Sequence, residues 1–196
     1  MYDCNLCSKN MRCFYELKGS NADNTKILFI LNQPDERIVD KDYFRLLIET
    51  RTGKKLIELL EYCDRTLDDV NVTNAFKGIV PKLDYHRGGE HSRYPTKQES
   101  DVCLEQVLLP QIKKFQPKAI ISFGAITYKT LFPEKSKTKS LEESFGEVNL
   151  FLDIPTLIFY HPSAFWHHGL EKRQTYYAVA KVFLNSFDKP SGLSLF

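Results

Sequence analysis

An α/β fold is predicted: a three-layer α/β/α sandwich around a central, mostly parallel sheet of four or five strands. Three observations predict it. First, the runs Ile27-Leu28-Phe29-Ile30-Leu31, Ala119-Ile120-Ile121-Ser122-Phe123 and Thr156-Leu157-Ile158-Phe159-Tyr160 are predominantly apolar, with one small hydroxyl residue each in the last two, as suits strands buried on both faces. Second, segments of helical spacing separate the strands, as crossover connections between parallel neighbours require. Third, polar groups follow the strands at once: Asn32-Gln33-Pro34, Thr73-Asn74 and His161-Pro162-Ser163. In an open α/β sheet, ligands bind beyond the carboxyl ends of the strands, so these groups suggest one convergent pocket for a small, flat, polar ligand.

Each element has its own warrant. Lys26 to Leu31 is the first central strand. From about Tyr43 to Tyr62, Phe44, Leu47, Ile48, Leu56, Leu59 and Leu60 recur at helical spacing, interrupted at Gly53. Val70 to Phe76 reads as a strand, and Lys77 to Pro95, with Gly88-Gly89 and two prolines, as a long polar loop. Thr96 followed by Glu99 forms a capping box. The helix it opens places Val102, Cys103, Val107, Leu108, Ile112 and Phe115 on one face and stops at Pro117. The strand Ala119 to Gly124 leads into a short helix ending near Phe132, and a Lys/Ser/Thr-rich loop runs from Pro133 to Ser140. Val148–Leu152 and Thr156–Tyr160 are two strands split by Ile154-Pro155, and Gly169 to Phe187 is a final amphipathic helix.

Composition narrows the function classes. With 42% hydrophobic and 27% charged residues the chain has the make-up of a soluble globular protein. A net charge of +2 does not by itself imply nucleic-acid binding, which would need a local basic surface. No stretch is apolar for the roughly 20 residues of a membrane span, and Met1-Tyr2-Asp3-Cys4 opens no signal segment. A cytoplasmic, monomeric protein without membrane contact is expected. It would form one domain over residues 1–196, with 1–25 as a cysteine-bearing N-terminal segment. Disulfides are rare in that compartment, so the five cysteines need another reading.

The order of the motifs is more specific than any one of them. Cys4-x-x-Cys7 is followed by Asn32-Gln33-Pro34 after a strand, then Thr73-Asn74-x-x-Lys77, Pro95-Thr96-x-x-Glu99-x-x-x-Cys103, Gln111-Ile112, Gln116-Pro117-Lys118-Ala119-Ile120-Ile121-Ser122-Phe123-Gly124 and Tyr160-His161-Pro162. Over about residues 4 to 165 this series resembles the uracil-DNA glycosylase superfamily, and most closely its iron-sulfur, family 4-like branch.

The resemblance implies a reaction and a division of labour. Hydrolysis of the glycosidic bond of deoxyuridine expels a uracil anion, and the base must be flipped out of the stack and held by its Watson–Crick edge. An Asn amide offers one donor face and one acceptor face, which suits O4 and N3–H of uracil. Asn74 matches the position with that role. His161 matches the donor to uracil O2, which stabilises charge developed in the transition state. Asn32 and Gln33 fall on the motif that positions the attacking water, where relatives usually carry a carboxylate after a Gly. Phe44, with Tyr43 as a substitute, lies where the base-stacking aromatic is expected. Three of the four cluster cysteines of such relatives match Cys4, Cys7 and Cys103. The fourth place falls near Gly78, and Cys13 could supply the missing thiolate for a structural [4Fe–4S] cluster or zinc.

DNA is the implied partner. Lys77, Lys82, Arg87, Arg93 and Lys97 flank the long loop, interleaved with Tyr85 and Tyr94, a pairing suited to phosphates and unstacked bases. Ser163 follows the His-Pro pair, and Phe165 or Trp166 could fill the gap left by a flipped base. The blander readings are that Trp166 packs on the last helix, that Cys63 is core, and that His167 and His168 are surface residues. The expected function is removal of uracil or a related deaminated base from DNA. The alternative is a non-catalytic nucleic-acid or nucleobase-binding member of the superfamily. A nucleotide-phosphate enzyme is disfavoured, because no glycine-rich phosphate loop follows any strand.

Overall fold

A computed structural model describes residues 27–34, 48–78 and 94–187, and the backbone alone of residues 2–3, 12–13 and 79. Two short strands, β1 (Tyr2–Asp3) and β2 (Arg12–Cys13), precede the central strand β3 (Ile27–Leu31). Helix α1 (Arg51–Tyr62) leads through a 3-10 turn at Leu67–Asp69 to β4 (Asn71–Asn74) and β5 (Gly78–Ile79). Helix α2 (Lys97–Cys103) runs through a π turn at Leu104–Leu108 into α3 (Leu109–Phe115). After β6 (Ala119–Phe123) come α4 (Gly124–Leu131), α5 (Lys135–Thr138) and α6 (Leu141–Ser144). The hairpin β7 (Val148–Phe151) and β8 (Ile154–Phe159), a 3-10 turn at Pro162–His167 and helix α7 (Leu170–Asn185) complete the described chain.

The central sheet has five strands in the order β4-β3-β6-β8-β7. The first four are mutually parallel, and β7 pairs antiparallel with β8 as an edge strand. The expected sandwich is therefore present. On one face Ile27, Phe29, Val72, Ile121 and Phe159 pack under Leu56, Leu59 and Leu60 of α1 and Tyr177, Ala180 and Leu184 of α7. On the other, Leu28, Ile30 and Ile120 meet Leu108, Ile112 of α3 and Leu131 of α4. Each large apolar side chain so enclosed contributes about 1.5–3 kcal/mol, and together they fix the register of the sheet.

Local chemistry explains where elements begin, bend and end. Thr50 caps α1 by accepting from the Gly53 N–H at 3.0 Å, so Gly53 lies in the first turn and does not interrupt the helix. Thr96 and Glu99 form the expected capping box on α2. Pro110 has no N–H to give the carbonyl one turn earlier, which accounts for the π turn in what reads as one continuous helix. Leu152 and Asp153 both have positive φ (51° and 61°), the backbone of a two-residue hairpin turn. That turn, and not Ile154-Pro155, separates β7 from β8. Pro155 instead lies within β8, in register with Leu150. The segment Pro133 to Ser140, expected to be loop, holds the one-turn helix α5.

Candidate active site

The four parallel strands deliver their carboxyl ends to one edge of the sheet. Asn74 ends β4, Asn32 and Gln33 follow β3, Gly124 follows β6, and His161 lies two residues beyond β8. Since β4, β3, β6 and β8 are consecutive neighbours, these residues form a row in the order Asn74, Asn32, Gly124, His161. This is the placement from which an open α/β sheet binds its ligand.

His161 is anchored by the turn it opens. It is the N-cap of the Pro162–His167 turn, with Pro162 at the first position, where a missing N–H costs nothing. Its Nδ1 lies 2.8 Å from Ser163 Oγ and accepts a longer, 3.4 Å contact from the Ser163 N–H. An N–H can only donate, so Nδ1 is the acceptor and the neutral ring carries its proton on Nε2. Burial pushes the imidazole pKa down to about 4, so the ring is neutral at physiological pH. The result is a neutral Nε2–H donor of fixed orientation. Tyr160, the preceding residue, stacks on Phe145 with centroids 4.5 Å apart and meets Tyr176 edge-on, which braces the end of β8.

Asn32 is oriented from the opposite side. Its Oδ1 accepts from Thr127 Oγ1 at 3.1 Å and from the Thr127 N–H at 3.4 Å, both in the first turn of α4. With the carbonyl so engaged, the Nδ2 amide is the end of Asn32 left to meet a ligand or water. Gly124 allows this approach. Its φ is +90°, and a Cβ there would lie 2.9 Å from Asn32 Oδ1 and 3.0 Å from His161 Cβ. Only glycine fits, in conformation and in space. Gly124 and Thr127 are site residues to which the sequence assigned no role. The available signal was a glycine placed directly after a buried strand.

Asn74 is buried and in register with Leu31. The chain around it is tied down at successive residues. The Ala75 N–H donates to the Leu31 carbonyl at 2.7 Å and the Phe76 N–H to the Asn32 carbonyl at 2.9 Å. The Lys77 N–H donates to Cys103 Sγ at 3.2 Å, and Lys77 Nζ turns back to Thr73 Oγ1 at 2.5 Å. Lys77 is 0% exposed, so its expected place on a phosphate-gripping surface is not where the fold puts it. Burial pushes its amine pKa down to about 7, with the nearby Cys103 opposing the shift.

The remaining expectations divide. Lys97 is exposed and pairs with Asp101 at 2.5 Å. Ser163 is exposed, but its hydroxyl is engaged by His161. Phe165 is 0% exposed in the core, edge-on to Phe159 and Tyr177, and cannot act as a wedge without unpacking that core. Trp166 packs on α1. Its Nε1–H donates to the Arg51 carbonyl at 3.0 Å, and Lys55 Nζ lies 5.0 Å from its ring centre. Cys63 is buried as core, His167 is exposed, and His168 is half-buried against Tyr176. Phe44, Tyr43, Lys82, Tyr85, Arg87 and Arg93 lie outside the described residues, whereas Tyr94 is exposed.

For the cysteine site, Cys4 and Cys7 lie outside the described residues, and of Cys13 only the backbone is described. Among the described residues no cluster of three or more His, Cys, Asp or Glu is gathered as for a metal. Cys13 is in antiparallel register with Gly78, the residue standing at the vacant family position. Cys103 Sγ meets the backbone of the adjoining Lys77.

The Uracil DNA glycosylase superfamily profile matches residues 18–184. No individually curated protein matches the chain. Among solved structures, the crystal structure of wild-type Pedobacter heparinus SMUG2 has the same fold, with a TM-score of 0.57 at 10% identity, covering 83% of this chain and 75% of that one. At that identity the likeness is one of fold. The profile spans most of the chain, including every strand end of the site: the chain belongs to the uracil-DNA glycosylase superfamily.

Proposed function

We propose that the chain is a DNA glycosylase that hydrolyses the N-glycosidic bond of uracil, or a related deaminated base, in DNA. The observation that carries this reading is His161: a neutral imidazole, its Nδ1 engaged by Ser163, on the same sheet edge as Asn32 and Asn74. A neutral Nε2–H donor suits a leaving group whose negative charge on O2 grows toward the transition state, because it adds stabilisation there without binding the ground state as an ion pair would. Asn74 reads the edge of the flipped base, accepting from N3–H and donating to O4. The Asn32 amide and Gln33 position water opposite the departing base. Positive charge develops on the sugar as the glycosidic bond breaks and the base leaves as the anion held by His161; water adds at that carbon and gives up a proton to solvent, leaving the sugar hydroxyl.

A single-turnover assay on uracil-containing single- and double-stranded oligonucleotides tests the reading. Wild type should release uracil. His161→Ala should slow release on the order of 10²-fold or more while DNA affinity stays nearly unchanged. Activity indifferent to both His161→Ala and Asn74→Asp would mean that the pocket is elsewhere. The second reading, a binding module without turnover, is favoured by one specific observation: the Asn32 carbonyl is taken up by Thr127, and no carboxylate stands at the matched place. Free uracil bound without cleavage of any deaminated base would establish that reading instead.

We also propose that Cys4, Cys7, Cys13 and Cys103 hold a structural [4Fe–4S] cluster or zinc, as the chemistry of four thiolates allows. The register of Cys13 with Gly78 supports Cys13 as the fourth ligand. Elemental analysis of anaerobically purified protein should find iron with sulfide, or zinc, and Cys13→Ala should release it. Neither metal in such a preparation would refute the proposal.

A further inference from the structure

The side chain of Lys77 is enclosed and points away from solvent, which is unusual for an amine. Burying an amine costs several kcal/mol unless the fold uses its hydrogen bonds, and an apolar side chain of similar volume would fill the space more cheaply. Among the described residues no carboxylate lies within ion-pair distance of it. What it meets is Thr73 Oγ1, at 2.5 Å. Thr73 in turn donates to Gln111 Oε1 of α3 at 3.2 Å. The Lys77 backbone N–H is fixed to Cys103 Sγ at the end of α2. One residue thus closes a loop over the segment 73–77 from both ends and ties it to the helical layer. The middle of that segment is Asn74, the proposed base reader. Its neighbours Ala75 and Phe76 are bonded to the carbonyls of Leu31 and Asn32.

We infer that Lys77 is a positioning residue for Asn74: its amine clamps Thr73 against Gln111 and so holds the end of β4 in the pose that presents the Asn74 amide to the base. This rests on the glycosylase reading for its functional half and on geometry alone for its structural half. The clamp acts on recognition and leaves leaving-group stabilisation to His161, which stands on another strand. An amide must hold both its donor and its acceptor faces to the flat edge of the base, so a small tilt at residue 74 weakens two hydrogen bonds at once. Lys77 is itself too enclosed to touch DNA or base.

The test uses Lys77→Met, which keeps length and removes the donor, and Thr73→Val, which removes the acceptor together with the hydroxyl donor to Gln111. Thr73→Ser is the conservative rescue. Free-uracil affinity and single-turnover rate should each fall by about tenfold in the first two variants, with DNA affinity within about twofold of wild type. Combining them should cost little more than Thr73→Val alone, because the Lys77–Thr73 bond is already broken there. Thr73→Ser should retain wild-type behaviour. In an Asn74→Ala background Lys77→Met should have no further effect on uracil binding, whereas in a His161→Ala background it should keep its full effect. The side-chain amide resonance of Asn74, assigned by its loss in Asn74→Ala, should shift or broaden in Lys77→Met without any substrate present. A Lys77→Met protein that loses stability but keeps uracil affinity and an unmoved Asn74 resonance overturns the inference. An equal loss in the Asn74→Ala background also overturns it. If Lys77→Met does not fold, Thr73→Val carries the same comparisons. If wild type neither binds uracil nor cleaves DNA, the glycosylase reading fails, and the Asn74 resonance still decides the positioning role.

Discussion

His161 works at a pKa far from the usual imidazole value, and this has two consequences of defined sign. Burial lowers the folded-state pKa to about 4, whereas an unfolded chain titrates near the ordinary 6.5. Between those values the unfolded state binds more protons, so acid favours unfolding. The contribution of His161 to stability is therefore complete above about pH 6.5 and is lost progressively as pH falls toward 4. For the proposed reaction, the form required is the neutral ring with Nδ1 accepting from Ser163. The single-turnover rate should be level from neutral pH down to about 5 and fall only near 4, an acid limb that disappears in His161→Ala. A rate that instead fell as pH rose from 6 to 7 would mean that a protonated imidazole is the working form.

The junction of β6 with α4 is the element on which the site depends most directly. Gly124 has φ +90° and lets Asn32 and His161 close in from either side. Gly124→Ala should destabilise the fold by about 1–3 kcal/mol through strain and contact, and should reduce activity per folded molecule by more than tenfold because both functional side chains must shift. Gly146→Ala is the control. It has φ +81°, but its Cβ would meet only Val179 Cγ1 at 3.5 Å, so it should lower Tm while leaving the rate intact. Equal activity losses in the two variants would refute the role given to Gly124. The contrast also shows what was legible in the sequence. Strands β3, β6 and β8, and the strand ends bearing Asn32, Asn74 and His161, were legible because a doubly buried strand is predominantly apolar and the polar groups that follow it mark its end. The capping box of α2 was legible from two residues. Lys77 and Phe165 were misplaced for a physical reason. A lysine reads as solvent-facing and an aromatic beside a site reads as available. Lys77 turns back on Thr73, four residues earlier, and meets Cys103 with its backbone, while Phe165 folds in between Phe159 and Tyr177; composition does not show which way such a side chain turns. Thr127 was invisible because its partner Asn32 lies 95 residues away in sequence.

At the scale of the whole molecule, the strand order β4-β3-β6-β8-β7 sets a timetable for folding. The β7–β8 hairpin closes over two residues and can form locally. The central strand β3 must find β4 and β6 across long intervening stretches, which makes loop closure slow. The row of strand ends exists only when all four parallel strands are in place, so ligand affinity should be among the last properties to return on refolding. The lone tryptophan, Trp166, gives a clock for this: its indole is fixed to the Arg51 carbonyl across 115 residues. In a stopped-flow experiment, far-ultraviolet circular dichroism should recover first, Trp166 fluorescence later, and uracil binding together with or after the fluorescence. Uracil binding that returned ahead of the fluorescence would show that the pocket assembles without the turn that carries His161. The same topology that gathers the reactive groups along one edge therefore makes the molecule inert until its longest-range contacts have closed.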